Sequence, residues 1–498
     1  MLKMKRYILW NACVMMLFSC KSTPVISSLF TPTFRISEKT THKIKKGQTY
    51  TFGYLEVLEN RQKVNSNTIK LPVYIFKSRS KTPQKDPIIY TVGGPGASTM
   101  PSAPYMQYYK YLDDRDFILI EQRGTLYAQP HLDCPEWSQA VYQSNLSHYG
   151  KQQEDTLLAE ATKACRDRLL GQGIDLDGYT TNEIAADIND LVNILDIETY
   201  NLLTISYSTK IAQVLMRDYP NKIRSVVMDS PLPLEVNYDE ESVKNLLETI
   251  DKLLADCEQD EKCKQAFPNL KALFFEYLLE KNKQPLEVKV ENPSSRKIET
   301  FYLKGADLIA VFTLASTGNV AEIPLEINKL LKGDLTTVKK QLSALFQAPD
   351  KGAGQGMRLS VWCAEEYPFN SQTTIAEETT KYPLVKGLKP AVFEQEICDI
   401  WAVQKAPAIE NQAVKSDIPV LLISGEYDEQ TPTKWAKAMM KNLTNSHHLI
   451  FKGWKHTPTT YWSNPCAMEA ANDFFNNPDR QPLPVCFEQI KSLEFKLE

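Results

Sequence analysis

Three side chains far apart along the chain, Ser206, Asp428 and His456, have the types and settings needed for acyl transfer. A serine hydroxyl is a weak nucleophile at neutral pH. It needs an imidazole to take its proton and a carboxylate to orient that imidazole. Ser206 closes the apolar run 202–205 and is followed by a helix-compatible stretch, 211–217. This places it on a strand–turn–helix corner, where a strained backbone lifts a hydroxyl above the sheet edge. The corner reads Thr204-Ile205-Ser206-Tyr207-Ser208, with Thr and Ser where the G-x-S-x-G pattern has glycine. Thr204 is β-branched and crowds the tightest point of such a turn. Taken alone, the same residues also fit a simple turn or helix N-cap. Of six histidines, His456 is the one in a loop after the last strand-like run, and Asp428 sits correspondingly after the run before it.

The elements that would position these groups alternate between strand and helix. Residues 50–56 and 68–76 read as an antiparallel hairpin at a sheet edge. Buried-strand runs follow at 88–92, 117–121, 202–205 and 226–230, with helical patterns at 155–170, 182–195 and 211–217 between them. That alternation predicts a parallel α/β sheet, whose ligand sites lie at the carboxyl ends of the strands. Gly93-Gly94-Pro95-Gly96 follows the first buried run, a loop whose backbone can approach a ligand closely. Glu121 and Arg123, after the second, read as an ion pair anchoring that loop. Long amphipathic stretches at 243–257, 270–281, 306–314 and 323–331 then replace the alternation, so 234–407 reads as a mainly helical lid over the sheet. The sheet pattern resumes at 418–424 and 449–451. The expected division is 1–20 leader, 21–45 tether, 46–233 first part of the core, 234–407 lid, and 408–498 second part of the core with a C-terminal tail.

The ends and the composition narrow the setting. Lys3, Lys5 and Arg6 precede a short apolar run, 7–18, that ends in Leu17-Phe18-Ser19-Cys20. This is the form of a secretory leader, too short for a comfortable membrane span. Its ending resembles a bacterial lipobox, in which Cys20 is acylated. That implies an exported protein, lipid-anchored to a membrane at the periplasmic face or cell surface. Eight of the ten cysteines remain after the leader, an even number suited to disulfides in an oxidising compartment. Eight cysteines allow 105 connectivities; simple neighbour pairing gives 134–165, 257–263, 363–398 and 466–486. No cysteine–histidine spacing suggests zinc. A hydrophobic share of 43% with 24% charged residues is globular, and a net charge of −4 excludes a general nucleic-acid binder, which needs a basic surface.

The order Ser206, Asp428, His456 is that of α/β-hydrolases. From about residue 53 to 486 the chain resembles the proline iminopeptidase and tripeptidyl aminopeptidase group of that fold. The likeness is carried by Gly93–Gly96, Glu-Gln-Arg-Gly-Thr at 121–125, Ile-Ser-Tyr-Ser-Thr at 205–209, Val-Met-Asp-Ser at 227–230, Cys-Ala-Glu-Glu at 363–366, Ser-Gly-Glu-Tyr-Asp at 424–428 and Lys-His at 455–456. The resemblance implies Ser206 as nucleophile, His456 as base and Asp428 as its orienting acid. It also implies an oxyanion hole from the backbone N–H groups of Tyr207 and Gly94, and no metal or cofactor. Substrates would be peptides cleaved from the amino end, with Glu365 or Glu366 a candidate partner for their α-ammonium. The family usually has glycine at 204 and 208, Asp at 121 and Gly at 126; here stand Thr204, Ser208, Glu121 and Leu126. Two other readings remain on the same fold: a hydrolase of carboxylic esters or other acyl compounds, and a catalytically degenerate peptide-binding lipoprotein.

Overall fold

The computed structural model describes residues 30–146, 151–312, 320–344, 346, 354–382, 384, 393–490 and 493–498. The leader, the lipobox-like Cys20 and the first part of the expected tether lie outside these residues. Eleven strands are present among them. They are β1 Thr33–Ile36, β2 Tyr50–Leu58, β3 Thr68–Phe76, β4 Gln84–Thr91, β5 Arg115–Ile120, β6 Tyr200–Ile205, β7 Ile223–Asp229, β8 Leu286–Glu291, β9 Ile298–Leu303, β10 Val420–Gly425 and β11 Ser446–Phe451. Nine form one sheet in the order β1-β2-β3-β5-β4-β6-β7-β10-β11. From β5 across to β11 every pairing is parallel; β1, β2 and β3 make an antiparallel edge.

The parallel strands read as continuous apolar runs because both their faces are covered. Leu202 and Leu203 are fully buried neighbours, yet they enter different clusters. Leu202 packs with Ile184, Ile188 and Ile211, and Leu203 with Phe117, Leu449 and Phe474. The helices Thr181–Ile194 and Ser208–Asp218 cover one face, and Cys466–Asn476 covers the other.

One expected region differs. Thr33–Ile36 is not free tether but an edge strand on β2, and His42 is held by the hydroxyls of Tyr74 and Tyr127. A four-residue strand with one side exposed has too little apolar pattern to separate it from a polar linker.

Between β7 and β10 the chain builds its own apolar cluster around the helix Tyr238–Gln259, the helix Leu270–Lys283, the β8–β9 hairpin and Ile323–Leu331. The C-terminal residues Leu493, Phe495 and Leu497 pack on this cluster. Disulfides join Cys134–Cys165, Cys257–Cys263, Cys363–Cys398 and Cys466–Cys486, the neighbour pairing. They belong to an oxidising compartment. Among the described residues, no helix is long and apolar enough to cross a membrane.

Candidate active site

β6 ends at Ile205, and the chain reverses into the helix Ser208–Asp218 through Ser206, whose φ is +57°. A left-handed conformation is uncommon for a residue with a Cβ, and such strain gathers at functional turns. The turn is held by Ser206 N–H donating to Asp229 O at 2.9 Å and Thr209 N–H donating to Ser206 O at 2.9 Å. The missing glycines have physical substitutes. Ser208 Oγ accepts from Ile205 N–H at 2.7 Å and lies 2.8 Å from Thr91 O, tying the turn to β4. Thr204 Oγ1 reaches Val227 O on the next strand at 3.3 Å. The steric demand has moved to Gly93: a Cβ there would lie 2.7 Å from Ser206 Cβ, 2.9 Å from Ile205 O and 3.1 Å from Ser206 Oγ.

His456 Nε2 lies 3.0 Å from Ser206 Oγ, and His456 Nδ1 lies 2.8 Å from Asp428 Oδ2. Asp428 also accepts from the N–H groups of Gln430 and Thr431 at 3.0 and 2.9 Å, and from Thr431 Oγ1 at 2.7 Å. Burial pushes the Asp428 carboxyl up, but the charge and hydrogen bond of His456 and the Thr431 donors outweigh it and hold it below the usual range. An ionised carboxylate only accepts, so Nδ1 carries the proton and Nε2 turns its lone pair to the serine. Burial lowers the His456 imidazole, yet Asp428, Asp229 and Glu429 together leave it above its ordinary value. The structure thus brings Ser206, His456 and Asp428 into one hydrogen-bonded line, an arrangement able to draw a proton off a hydroxyl.

The loop after β4 lies against that hydroxyl. Gly93 backs onto Ser206, and Gly94 is exposed with φ +118°, a conformation that requires glycine. Glu121, fully buried, receives Ser98 Oγ and Thr99 N–H at 2.9 Å and Tyr127 N–H at 3.1 Å, which fixes the end of the loop. Arg123 does not pair with Glu121 as the sequence suggested. Its Nε and Nη2 grip Asp187 at 2.8 and 2.6 Å, fastening the β5 loop to the helix Thr181–Ile194. Tyr207 is buried, with its hydroxyl 2.7 Å from Thr181 Oγ1.

The assignment of Glu365 or Glu366 to a substrate ammonium gives way to the structure. Glu365 is buried and accepts from both Thr181 N–H, at 2.6 Å, and Thr181 Oγ1. Glu366 is in an ion pair with Lys210 on the helix that follows Ser206, with side chains 4% and 2% exposed. These carboxylates brace the nucleophile turn from below. Their π-helical setting, Trp362–Glu366, turns both inward.

Other groups at the site carried no assignment in the sequence. Asp229, fully buried, accepts from Thr459 N–H at 2.8 Å and Thr459 Oγ1 at 2.5 Å, and burial pushes its carboxyl up to about 7. Ser230 Oγ accepts from Thr457 N–H at 2.8 Å. Ser230 and Thr457 share the left-handed φ of Ser206, at +57° and +61°. Asp229 and Ser230 therefore clamp the histidine loop while Asp229 O holds the serine turn. An Asp-Ser pair at the end of a buried run was the available signal. Glu429, next to Asp428, is buried with neither carboxylate oxygen hydrogen-bonded, and burial pushes it up to about 7. Lys455 is the cation acting on it. Among the described residues, no cluster suits a metal ion.

A mostly parallel sheet with a serine on a left-handed turn after β6, an aspartate after β10 and a histidine after β11 defines an α/β-hydrolase. Residues 387–483 match the family model described as TAP-like protein. The chain is 23% identical over 448 residues to YuaR of Escherichia coli (strain K12), spanning 84% of each protein. It is 20% identical over 396 residues to the serine protease Hip1 of Mycobacterium tuberculosis (strain ATCC 25618 / H37Rv), spanning 74% of this chain and 75% of that one. Among solved structures, proline iminopeptidase of Mycobacterium smegmatis aligns at a TM-score of 0.38 and 14% identity, over 82% of this chain and 96% of that one. The chain has the α/β-hydrolase fold with a TAP-like segment at residues 387–483, and its likeness to known hydrolases supports a hydrolase.

Proposed function

We propose that this protein is an exported serine peptidase that removes amino acids or short peptides from the amino end of peptides through an acyl-enzyme. Ser206 Oγ attacks the scissile carbonyl carbon while His456 Nε2 takes its proton. The tetrahedral oxyanion is met by the N–H groups of Tyr207 and Gly94. His456 then passes the proton to the leaving amine, and water, activated by the same imidazole, releases the acyl group. Asp428 holds the imidazole in the required tautomer. The observation that carries this reading is the pair of contacts at His456, 3.0 Å to Ser206 and 2.8 Å to Asp428. The relation to a serine protease supports a peptide as substrate. Amino-end cleavage rests on the family resemblance, and with Glu365 and Glu366 already engaged, we assign the α-ammonium to Glu429, among the described residues a buried carboxylate with both oxygens unbonded.

A panel of aminoacyl-, dipeptidyl- and tripeptidyl-amides beside simple carboxylic esters, with released fragments read by mass, tests the function. Release from free amino ends, blocked by N-acetylation, is expected. Turnover of the esters alone would make the protein an esterase. We also assign Cys20 as a lipid anchor, with the preceding residues removed. Replacing Cys20 by Ser is expected to move the protein from the membrane fraction to the soluble one, and retention at the membrane would refute the anchor.

A further inference from the structure

Arg358 lies on the short helix Gln355–Val361, packed on the glycine loop of the site. Gly354 N–H donates to Gly96 O at 2.7 Å, and a Cβ on Gly96 would lie 3.5 Å from Arg358 Cβ. The guanidinium reaches away from this loop across an aromatic cradle, 5.8 Å from the Trp362 ring centroid and 5.9 Å from that of Phe393. From the other side comes Tyr238, the first residue of the lid helix, whose ring meets Trp362 edge-on at 5.4 Å. Tyr238 lies within electrostatic reach of Asp428, Asp239, Glu429 and Arg358 alike. Arg358 thus lies beside the loop that abuts Ser206, with Trp362 and Phe393 against its guanidinium.

An arginine offers five N–H donors in a flat fork suited to a carboxylate. Among the described residues the Arg358 side chain makes no hydrogen bond or ion pair, and its Nε is buried without an acceptor. The carboxylate nearest in electrostatic terms, Asp239, accepts at Oδ2 from Trp362 Nε1 at 3.1 Å and Asn370 Nδ2 at 2.9 Å. Other arginines of the core behave differently: Arg115 binds Asp86, Asn476 and Phe475 O, and Arg123 binds Asp187. Arg358 is half-buried, and leaving its buried Nε–H donor unmet is costly, while ring contacts stabilise the flat face of a guanidinium and leave its N–H edge unoccupied.

We propose that Arg358 is a carboxylate-binding residue of the substrate cleft, taking an anionic carboxylate of the peptide and favouring peptides that present one. This rests on the reading of Ser206 as the nucleophile of a peptidase. Two sources share the chemistry, the C-terminal carboxylate of a short peptide and the side chain of Asp or Glu, and matched substrates separate them. Ala-Ala-Ala is compared with Ala-Ala-Ala-amide, and Ala-Asp-Ala-amide with Ala-Asn-Ala-amide, on the full-length wild type and on Arg358→Met and Arg358→Lys. For one of the pairs the wild type is expected to prefer the acid by about tenfold or more, expressed in KM, as a charge-assisted bidentate contact gives. Arg358→Met loses the preference and Arg358→Lys keeps part of it. Equal handling of acid and amide in both pairs by the wild type overturns the proposal, as does a preference that survives in Arg358→Met. The wild-type comparison needs no variant to fold. If no peptide is cleaved, the peptidase reading has failed separately, and calorimetric binding of the same pairs to Ser206→Ala still decides whether Arg358 selects the acid.

Discussion

Substituting Gly93 by Ala probes the site at its tightest approach. The added methyl would meet Ser206 Cβ at 2.7 Å, Ile205 O at 2.9 Å and Ser206 Oγ at 3.1 Å. Two of the three are inside any ordinary Cβ contact, and the carbonyl belongs to β6, which is paired on both sides. Neither neighbour is the far end of a flexible chain, so the glycine loop and the serine turn must separate by several tenths of an ångström. Overpacking of this kind costs about 1–3 kcal/mol of stability. The catalytic effect is of the same order: a nucleophile misplaced by ~1 Å loses about 10²-fold, about 2.7 kcal/mol. The assay is the rate of fluorophosphonate labelling, with thermal unfolding beside it. A fall of about tenfold, and at most about 10²-fold, in labelling is expected while the protein stays folded at assay temperature. Labelling at the wild-type rate would show that the loop does not set the position of the hydroxyl, and would remove the argument for an oxyanion hole at Gly94.

Asp428→Asn is expected to lower kcat by about 10⁴-fold with the fold intact, because the neutral amide no longer fixes the Nδ1–H tautomer; a loss under tenfold would contradict the orienting role. In the wild type, kcat/KM rises with pH as His456 becomes neutral, with a midpoint above about 6.5, because the surrounding carboxylates raise the imidazole. Asp229→Asn removes one of those charges, so this midpoint moves to lower pH, and an upward move in the pH–rate profile would refute the assignment. Lys210→Met leaves the Glu366 carboxylate buried without its partner and is expected to destabilise the protein by about 3–5 kcal/mol in urea unfolding. A change under ~0.5 kcal/mol would mean that the pair carries no load beneath the serine turn.

The constellation was legible because each member follows a buried run. Leu202–Leu203, Leu421–Ile423 and the ends of Leu449–Phe451 are apolar because they are buried, and the residue types that follow these runs stand out. What could not be read was partner choice. Arg123 binds Asp187, 64 positions on, and not Glu121 two positions before it. Glu365 binds Thr181 across 184 positions, and Glu366 binds Lys210 across 156. A carboxylate's type says that it will need donors; only packing says which donors arrive. The same holds at the corner itself. Thr204 and Ser208 look like defects in a glycine pattern, but their hydroxyls find acceptors on β7 and β4, and the space they use is returned by Gly93 on another loop. Asp229 and Ser230 were visible as residues but not as a clamp, since the loop they hold lies more than two hundred positions away.

The central claim is that the Ser206 hydroxyl is activated by His456. Incubating the folded, full-length protein with a fluorophosphonate probe and mapping the modified peptide by mass spectrometry tests it directly, with His456→Ala as the companion. The account predicts stoichiometric modification at Ser206 and a labelling rate reduced at least about 10³-fold in His456→Ala. Modification at another residue, or undiminished labelling of Ser206 without the imidazole, would contradict it.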